Sequence, residues 1–428
     1  MSPRIEIRNS HIIDPAQNRS GYHTLYIADG HIAAWNHPPL GWVADQTIDA
    51  PNWITCPGLV DLSARLNIAD TNLAEKNDMG AALSAGITSM VCPPNHGLLL
   101  DSPQQIEQLQ HHTHDDQPHV YPLGALTQKL EGHSLTDMAL LTQAGCIGFS
   151  QANMPLLNTR LLYQAMQYAA TFDYVLWLAP QDAPLSQGGV AHDGHVATRL
   201  GLLAIPVSAE VIALHNILTL MRQTNARVHI CRLSSAEGVN LIRQAKAEGL
   251  PITADISIHH LHLCDIDIGY FNTHCHLSPP LRSTRDRDAL HAGLEDETID
   301  AICSDHTPLP DSAKQCSFLE SIPGATSIEL LLSLTLHWAN THNIEFPQAL
   351  SKITSKPAEV LGLTAGNLSI GAPADLCLFD PDAIWEVNRS TLKSQGHNTP
   401  FLGLHVPGRT MITLIQGKVV YQATSTAA

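Results

Sequence analysis

Basic residues are scarce in this sequence. Lys and Arg number 23 against 40 Asp and Glu, a formal net charge of −17 with His neutral. A surface of that sign repels phosphate backbones and anionic headgroups, so nucleic acid and membrane surfaces are not expected partners. Charge of any sign is thin, at 15% of residues. No apolar run approaches the roughly 20 residues that span a bilayer. The opening MSPRIEIRNS lacks the apolar core of a signal peptide, and a cytoplasmic location is expected. The nine Cys form neither a CxxC pair nor an even framework. Cys92, Cys146, Cys231 and Cys303 fall in strand-like runs and read as buried, reduced thiols.

Several chemical signatures are missing as well. No GxGxxG follows the first strand, so dinucleotide binding lacks support. Gly188-Gly189 and Gly371-Ala372-Pro373 carry no GxxxxGK[ST] pattern and read as turns. Ser234-Ser235 sits in no GxSxG elbow and reads as a cap on the helix that follows. The chain has 25 His but no HExxH. The groups at His111, His112 and His114 and at His274 and His276 read as loop or surface residues.

What is present is a long alternation. Its 428 residues suffice for one large barrel or for two or three ordinary domains. Residues 1–54 give short alternating strands with an Asp-Gly hairpin turn at 29–30, and a similar texture returns in ADLCLFDP and MITLIQGKVVY. The two ends, 1–54 and 362–428, are therefore expected to share one small composite β domain. Between them, apolar runs recur at 54–62, 87–92, 119–126, 146–150, 174–180, 227–233, 252–257 and 301–306. Most are separated by stretches with apolar residues at helical spacing. Such runs imply a parallel sheet covered by helices, and eight units predict an α/β fold of the closed (β/α)8, or TIM, barrel type over 55–361. A doubly wound open sheet is the alternative.

In such a barrel, chemistry sits just past the C-terminal strand ends. Those segments, with CPGLVD (56–61), GITSMVCPPN (86–95), SQGGVAHDG (186–194), the block at 227–261, SPPLR (278–282), SDHTP (304–308), GAPADLCLFDP (371–381) and NTPFLGLHVPGR (398–409), resemble a type I dihydroorotase of the amidohydrolase superfamily. They run in family order over nearly the whole chain. The resemblance implies an amidohydrolase-type barrel with a small β domain, and a cyclic amide hydrolase that uses zinc in pyrimidine biosynthesis.

The family's functional residues do not carry over. Its His-x-His pair is Ser63 and Arg65 here, and its substrate-binding Arg is Asn67. Its carboxylate ligand after the fourth strand is Gln151. The histidines that end its fifth and sixth strands correspond to Ala179 and Arg232. The Asn before Pro-Pro-Leu-Arg is Ser278, and the His after Asp-His-x-Pro is Leu309. Asp305 matches the catalytic Asp, and Asn95 a substrate-binding Asn. His259 and His260 look like the family's own structural segment.

Hydrolysis of a cyclic amide needs an activated water, which zinc supplies by lowering its pKa from about 15.7 to about 7. Zinc needs three or four N, O or S donors. Guanidinium has no lone pair to give and stays charged. The family zinc is therefore expected to be absent, no residue is expected to be catalytic, and Arg65 or Arg232 is expected to pair with Asp305. Within the family, inactive chains of this kind accompany aspartate carbamoyltransferase, so a scaffolding subunit in a hetero-oligomer is expected. Two alternatives stay open: a sensor that binds an anion with Asn95, Arg65 and Arg232, and a residual zinc-dependent dihydroorotase.

Overall fold

The computed structural model describes residues 3–66, 71–95, 97–111, 116–155 and 158–423, without the side chains of 71–77 and 111. Eight short parallel strands form the central sheet: β1 (Leu59–Asp61), β2 (Ile87–Cys92), β3 (His119–Ala125), β4 (Gly148–Ser150), β5 (Val175–Leu178), β6 (Arg227–Ile230), β7 (Ile252–Ser257) and β8 (Ala301–Cys303). Each pairs with its sequence neighbour. Helices such as Thr159–Phe172, Val207–Thr224 and Ala236–Ala247 return the chain between strands, the right-handed crossover that parallel strands require.

Side chains alternate along the strands, as a period of two demands. Leu176, Leu178, Val228, Ile230, Ala254 and Ile256 share one large apolar cluster with helix residues such as Leu214, Met221 and Ile242. Val60, Val91, Leu123, Trp177, Ala301 and Cys303 form a second cluster with Ala358 of the helix Ser355–Leu361. The first set faces the helices; the second fills the barrel. The interior is not wholly apolar. Trp177 packs 4.1 Å from the ring of His229, whose Nε2 lies 3.0 Å from Asp255.

β1 and β8 do not pair along their length, and the barrel is closed above them. Arg65 donates its backbone N–H to the His306 carbonyl at 2.9 Å, and His306 donates to that of Ser63 at 3.1 Å. Buried Asp61 reinforces the seam by accepting the Ser304 N–H at 2.8 Å, the Ser304 hydroxyl and, at 3.3 Å, the Ser63 N–H. The residues that would carry chemistry are thus fixed by the same contacts that close the cylinder.

The second large sheet joins both ends of the chain. Its order runs Lys418–Gln422, His405–Ile415, Leu376–Glu386, Ile54–Pro57, Ile5–Asp14, Arg19–Ala28, His31–Trp35, with Gln46–Asp49 also on Ile5–Asp14. Cys56 stands opposite Cys377, which ties the first strands to the last. Asp29 and Gly30 both take positive φ, 50° and 78°, as a tight hairpin turn requires. One expectation needs correction. The apolar run at 54–62 is not one strand: Ile54–Pro57 belongs to this sheet and Leu59–Asp61 to the barrel. At Gly58 an added Cβ would lie 2.1 Å from the Thr88 hydroxyl, so the chain passes β2 too closely for a side chain there.

Asp61→Ala would remove the acceptor of three bonds at the seam and leave buried donors unpaired. Urea unfolding is expected to show a loss of about 3 kcal/mol or more, since three bonds are lost at about 1 kcal/mol or more each. A loss under about 1 kcal/mol would mean that the seam is held elsewhere.

Candidate functional site

The ends of β1, β6 and β8 bring Arg65, Arg232 and Asp305 together. Arg65 Nη1 lies 2.7 Å from Asp305 Oδ1, and Arg232 Nη1 lies 3.0 Å from the same oxygen. One carboxylate oxygen therefore bridges two guanidiniums. A second bridge crosses from the β4 loop. Asn153 Oδ1 accepts from Arg232 Nη2 at 2.5 Å and, more loosely at 3.4 Å, from Arg65 Nη2. Arg65 also donates to the Thr307 hydroxyl at 2.9 Å. The side chains are 11%, 4% and 9% exposed for Arg65, Arg232 and Asp305, so water screens the group weakly.

Backbone geometry holds two of these residues in an unusual conformation. Arg232 has φ 55° and Asp305 φ 50°, the left-handed region that non-glycine residues rarely occupy. Asp255 holds Arg232 there, accepting its N–H at 2.6 Å on Oδ1 while Oδ2 meets His229. The strain is retained because the surrounding bonds over-determine it.

Burial alone would push the Asp305 carboxyl up, but the guanidiniums of Arg232 and Arg65 outweigh it and hold the group down at about 2. For Arg232, burial opposes the charge and Asp305 outweighs it, so the guanidinium pKa lies above its usual value. Two histidines beside this group respond to burial instead: His259 is pushed down to about 3 and His260 to about 4. Both are neutral at pH 7.

The remaining expected positions disperse. Gln151 is buried and turned away, accepting from Thr127 at 2.9 Å and donating to the Leu130 carbonyl at 2.8 Å. Ala179 lines a separate cavity of about 60 Å³ with Gln151 and Asp182. Ser63 serves the seam through its backbone. Asn95 folds its Oδ1 onto the N–H groups of Gly97 and Leu98, which leaves only its amide nitrogen for a ligand. Asn67, His112, His114 and the side chain of His111 lie outside the described residues. His276 bonds Ser321, and Cys275 is buried between His274 and His276. Ser235 caps the helix Ala236–Ala247, and with Ser234 it grips buried Glu210.

Sequence reasoning missed Asn153 and Asn398. Asn153 follows β4 by three residues, and nothing in its local pattern marks it as the clamp between two arginines. Asn398 accepts from Leu309 N–H and Thr326 and donates to the Thr307 and Gly324 carbonyls, tying together the loops around Asp305. Its place inside a family motif is the signal that was available.

Residues 53–238 match the dihydro-orotase-like family and residues 188–420 the amidohydrolase family. A dihydroorotase-like protein of Pseudomonas aeruginosa is 36% identical across 98% of this chain and 99% of its own length. The chain belongs to the dihydroorotase-like amidohydrolases. A second dihydroorotase-like protein, from Pseudomonas putida, is 38% identical over 97% of the chain and 99% of its own. A dihydroorotase of Syntrophus aciditrophicus is 35% identical over 98% and 99%. The L-hydantoinase of Arthrobacter aurescens superposes over 99% of this chain and 96% of its own with a TM-score of 0.86, at 22% identity, which establishes a shared fold.

The residues present do not fit the zinc that this family implies. Among the described residues, Asp305 is the only anion that meets the Arg65 and Arg232 guanidiniums, and its Oδ1 already accepts an N–H from each. Arg65 and Arg232 supply positive charge and no lone pair. Ala179 has no donor, and the Gln151 amide is engaged on both sides. Among the described residues, no group of three or more His, Cys, Asp or Glu is placed to hold a metal ion.

Asp305→Asn would leave two buried guanidiniums facing each other. Denaturant unfolding is expected to show a loss of about 3–5 kcal/mol, the range for breaking a buried ion pair from one side. Replacing the whole group, as Arg65→Met/Arg232→Met/Asp305→Leu, is expected to recover most of it. Acid should act in two stages. His259 and His260 have folded pKa values below the unfolded 6.5, so the unfolded chain takes up their protons first. Their neutral burial loses about 1.4 kcal/mol per pH unit each as pH falls from 6.5 toward 4. Asp305 has a depressed pKa, so its contribution is complete above about 4 and is lost as pH falls through 2. Unfolding curves at pH 7, 5 and 3 test this; equal stability at pH 7 and 5 would refute the histidine stage.

Proposed function

We propose that this chain is a non-catalytic dihydroorotase-like barrel that acts as a structural subunit beside aspartate carbamoyltransferase. The observation that carries the first half is the double guanidinium contact on Asp305. Ring opening of a cyclic amide requires a nucleophile stronger than free water at neutral pH, together with a group that takes its proton. Asp305, held near pKa 2 by two cations, is a very weak base. The partner rests on the family resemblance: a barrel that keeps its frame and replaces its site acts through its surface.

A hydrolytic reading has support of its own, because relatives about as similar are named dihydroorotase. Purified protein settles the choice. Metal analysis is expected to give well under one zinc per chain, and dihydroorotate ring opening is expected to stay at the buffer rate with or without added Zn2+. Ser63→His/Arg65→His, which restores two nitrogen donors and removes one cation, is expected to take up zinc more tightly than the parent. Coexpression with aspartate carbamoyltransferase should yield one species whose mass exceeds that of either protein. Stoichiometric zinc with turnover would overturn the non-catalytic reading, and a monomer that ignores the transferase would overturn the partner.

A further inference from the structure

All nine cysteines are free thiols, and two of them face each other where the ends of the chain meet. In the antiparallel pairing of Ile54–Pro57 with Leu376–Glu386, Cys56 stands directly opposite Cys377. Opposite residues of such a pair point to the same face, with Cα atoms about 4.5 or 5.5 Å apart. A disulfide spans about 4.4–6.8 Å between Cα atoms. The backbone therefore already holds the spacing that an S–S bond requires. Among the described strand pairs, no other cysteine stands opposite a cysteine: Cys92 faces Pro122 and Cys303 faces Ser257.

The pair sits between the composite sheet and the barrel. Cys56, Cys377 and Phe379 belong to the large apolar cluster that includes the barrel helices, whereas Leu376 and Leu378, on the opposite face, belong to the cluster of the β domain. Gly86, in the turn before β2, makes room for the sulfur: an added Cβ there would lie 2.3 Å from Cys377 Sγ. Both side chains are fully buried. Burial, with Cys377 and Asp14 beside it, pushes the Cys56 thiol well above its usual pKa, so little thiolate is present near neutral pH and reaction is slow. Such a pair suits a persistent lock better than a fast sensor.

We propose that Cys56 and Cys377 are a site of covalent modification, closing under hydrogen peroxide into a disulfide that joins the strand leading into the barrel to the strand leading out of it. Peroxide is small and uncharged, which suits a buried target. One sulfur takes an oxygen from it and becomes a sulfenic acid, and the other oxygen leaves as water. The second sulfur then attacks the first. The S–S bond forms, the S–O bond breaks, and the hydroxyl leaves with the thiol proton as a second water. Two thiols are oxidised and one peroxide is reduced. The loop closed by this bond contains the entire barrel, and the constraint on the unfolded chain grows with loop length. The lock is independent of any chemistry at the barrel mouth.

Thiol mapping on the full-length protein tests it. Folded protein is treated with hydrogen peroxide, then unfolded, alkylated and digested. A peptide linking residues 56 and 377 is expected, with two fewer alkylated thiols that dithiothreitol restores. Cys316→Ser, which removes the exposed thiol, is expected to give the same linked peptide, and Cys377→Ala is expected to abolish it. Before reduction the oxidised protein is expected to unfold at higher urea than the reduced one. The map of the unsubstituted protein stands whether or not either variant folds. Folded protein that yields no 56–377 link after peroxide overturns the proposal. A link that forms only in the urea-unfolded chain, or that lowers the urea midpoint, overturns it as well.

Discussion

A carboxylate at the end of the last barrel strand has to be neutralised, and here two guanidiniums do it. Asp305 is buried at the point where β8 meets the seam with β1. Left alone, its charge would carry a desolvation penalty of several kcal/mol. Arg65 comes from the seam and Arg232 from the far side of the barrel, so the ion group spans the mouth. Its two left-handed residues, the Asn153 bridge and the inward turn of Asp255 all follow from placing those cations on one oxygen.

The family pattern sets a zinc dication against this same aspartate. Two guanidiniums carry the same total charge. The positive charge that faces Asp305 is therefore matched in total, here by groups that have no lone pair to give. A covalently attached cation cannot polarise a bound water as a Lewis acid, cannot open a coordination site, and is not lost to a chelator. At this seam the neutralising cations come from the chain itself.

Much of the frame was legible because it rests on patterns with a fixed period. Eight apolar runs between amphipathic stretches fit a closed barrel, and ITSMVC or ITADIS bury nearly every residue as a two-sided strand must. The run at 54–62 misled because hydrophobicity carries no mark of which sheet a strand joins; only the close passage of Gly58 over Thr88 separates the two pieces. At the site, Arg65, Arg232 and Asp305 were readable from their places past strand ends. Asn153 and the locked amide of Gln151 were not. Both depend on where a loop side chain turns, and that is set by neighbours distant in sequence, Arg232 for one and Leu130 for the other.

A second set of bonds shapes the mouth. Asn398, supplied by the segment that leads back to the composite sheet, bonds the loops after β8 from both sides, through Leu309 and Thr307 and through Thr326 and Gly324. The β domain and the arginine pair thus brace one wall from opposite directions. A wall braced twice is preorganised, and preorganisation reduces the entropy cost of whatever meets it. The ion group at the strand ends and the Asn398 bonds thereby fix the barrel mouth from two sides.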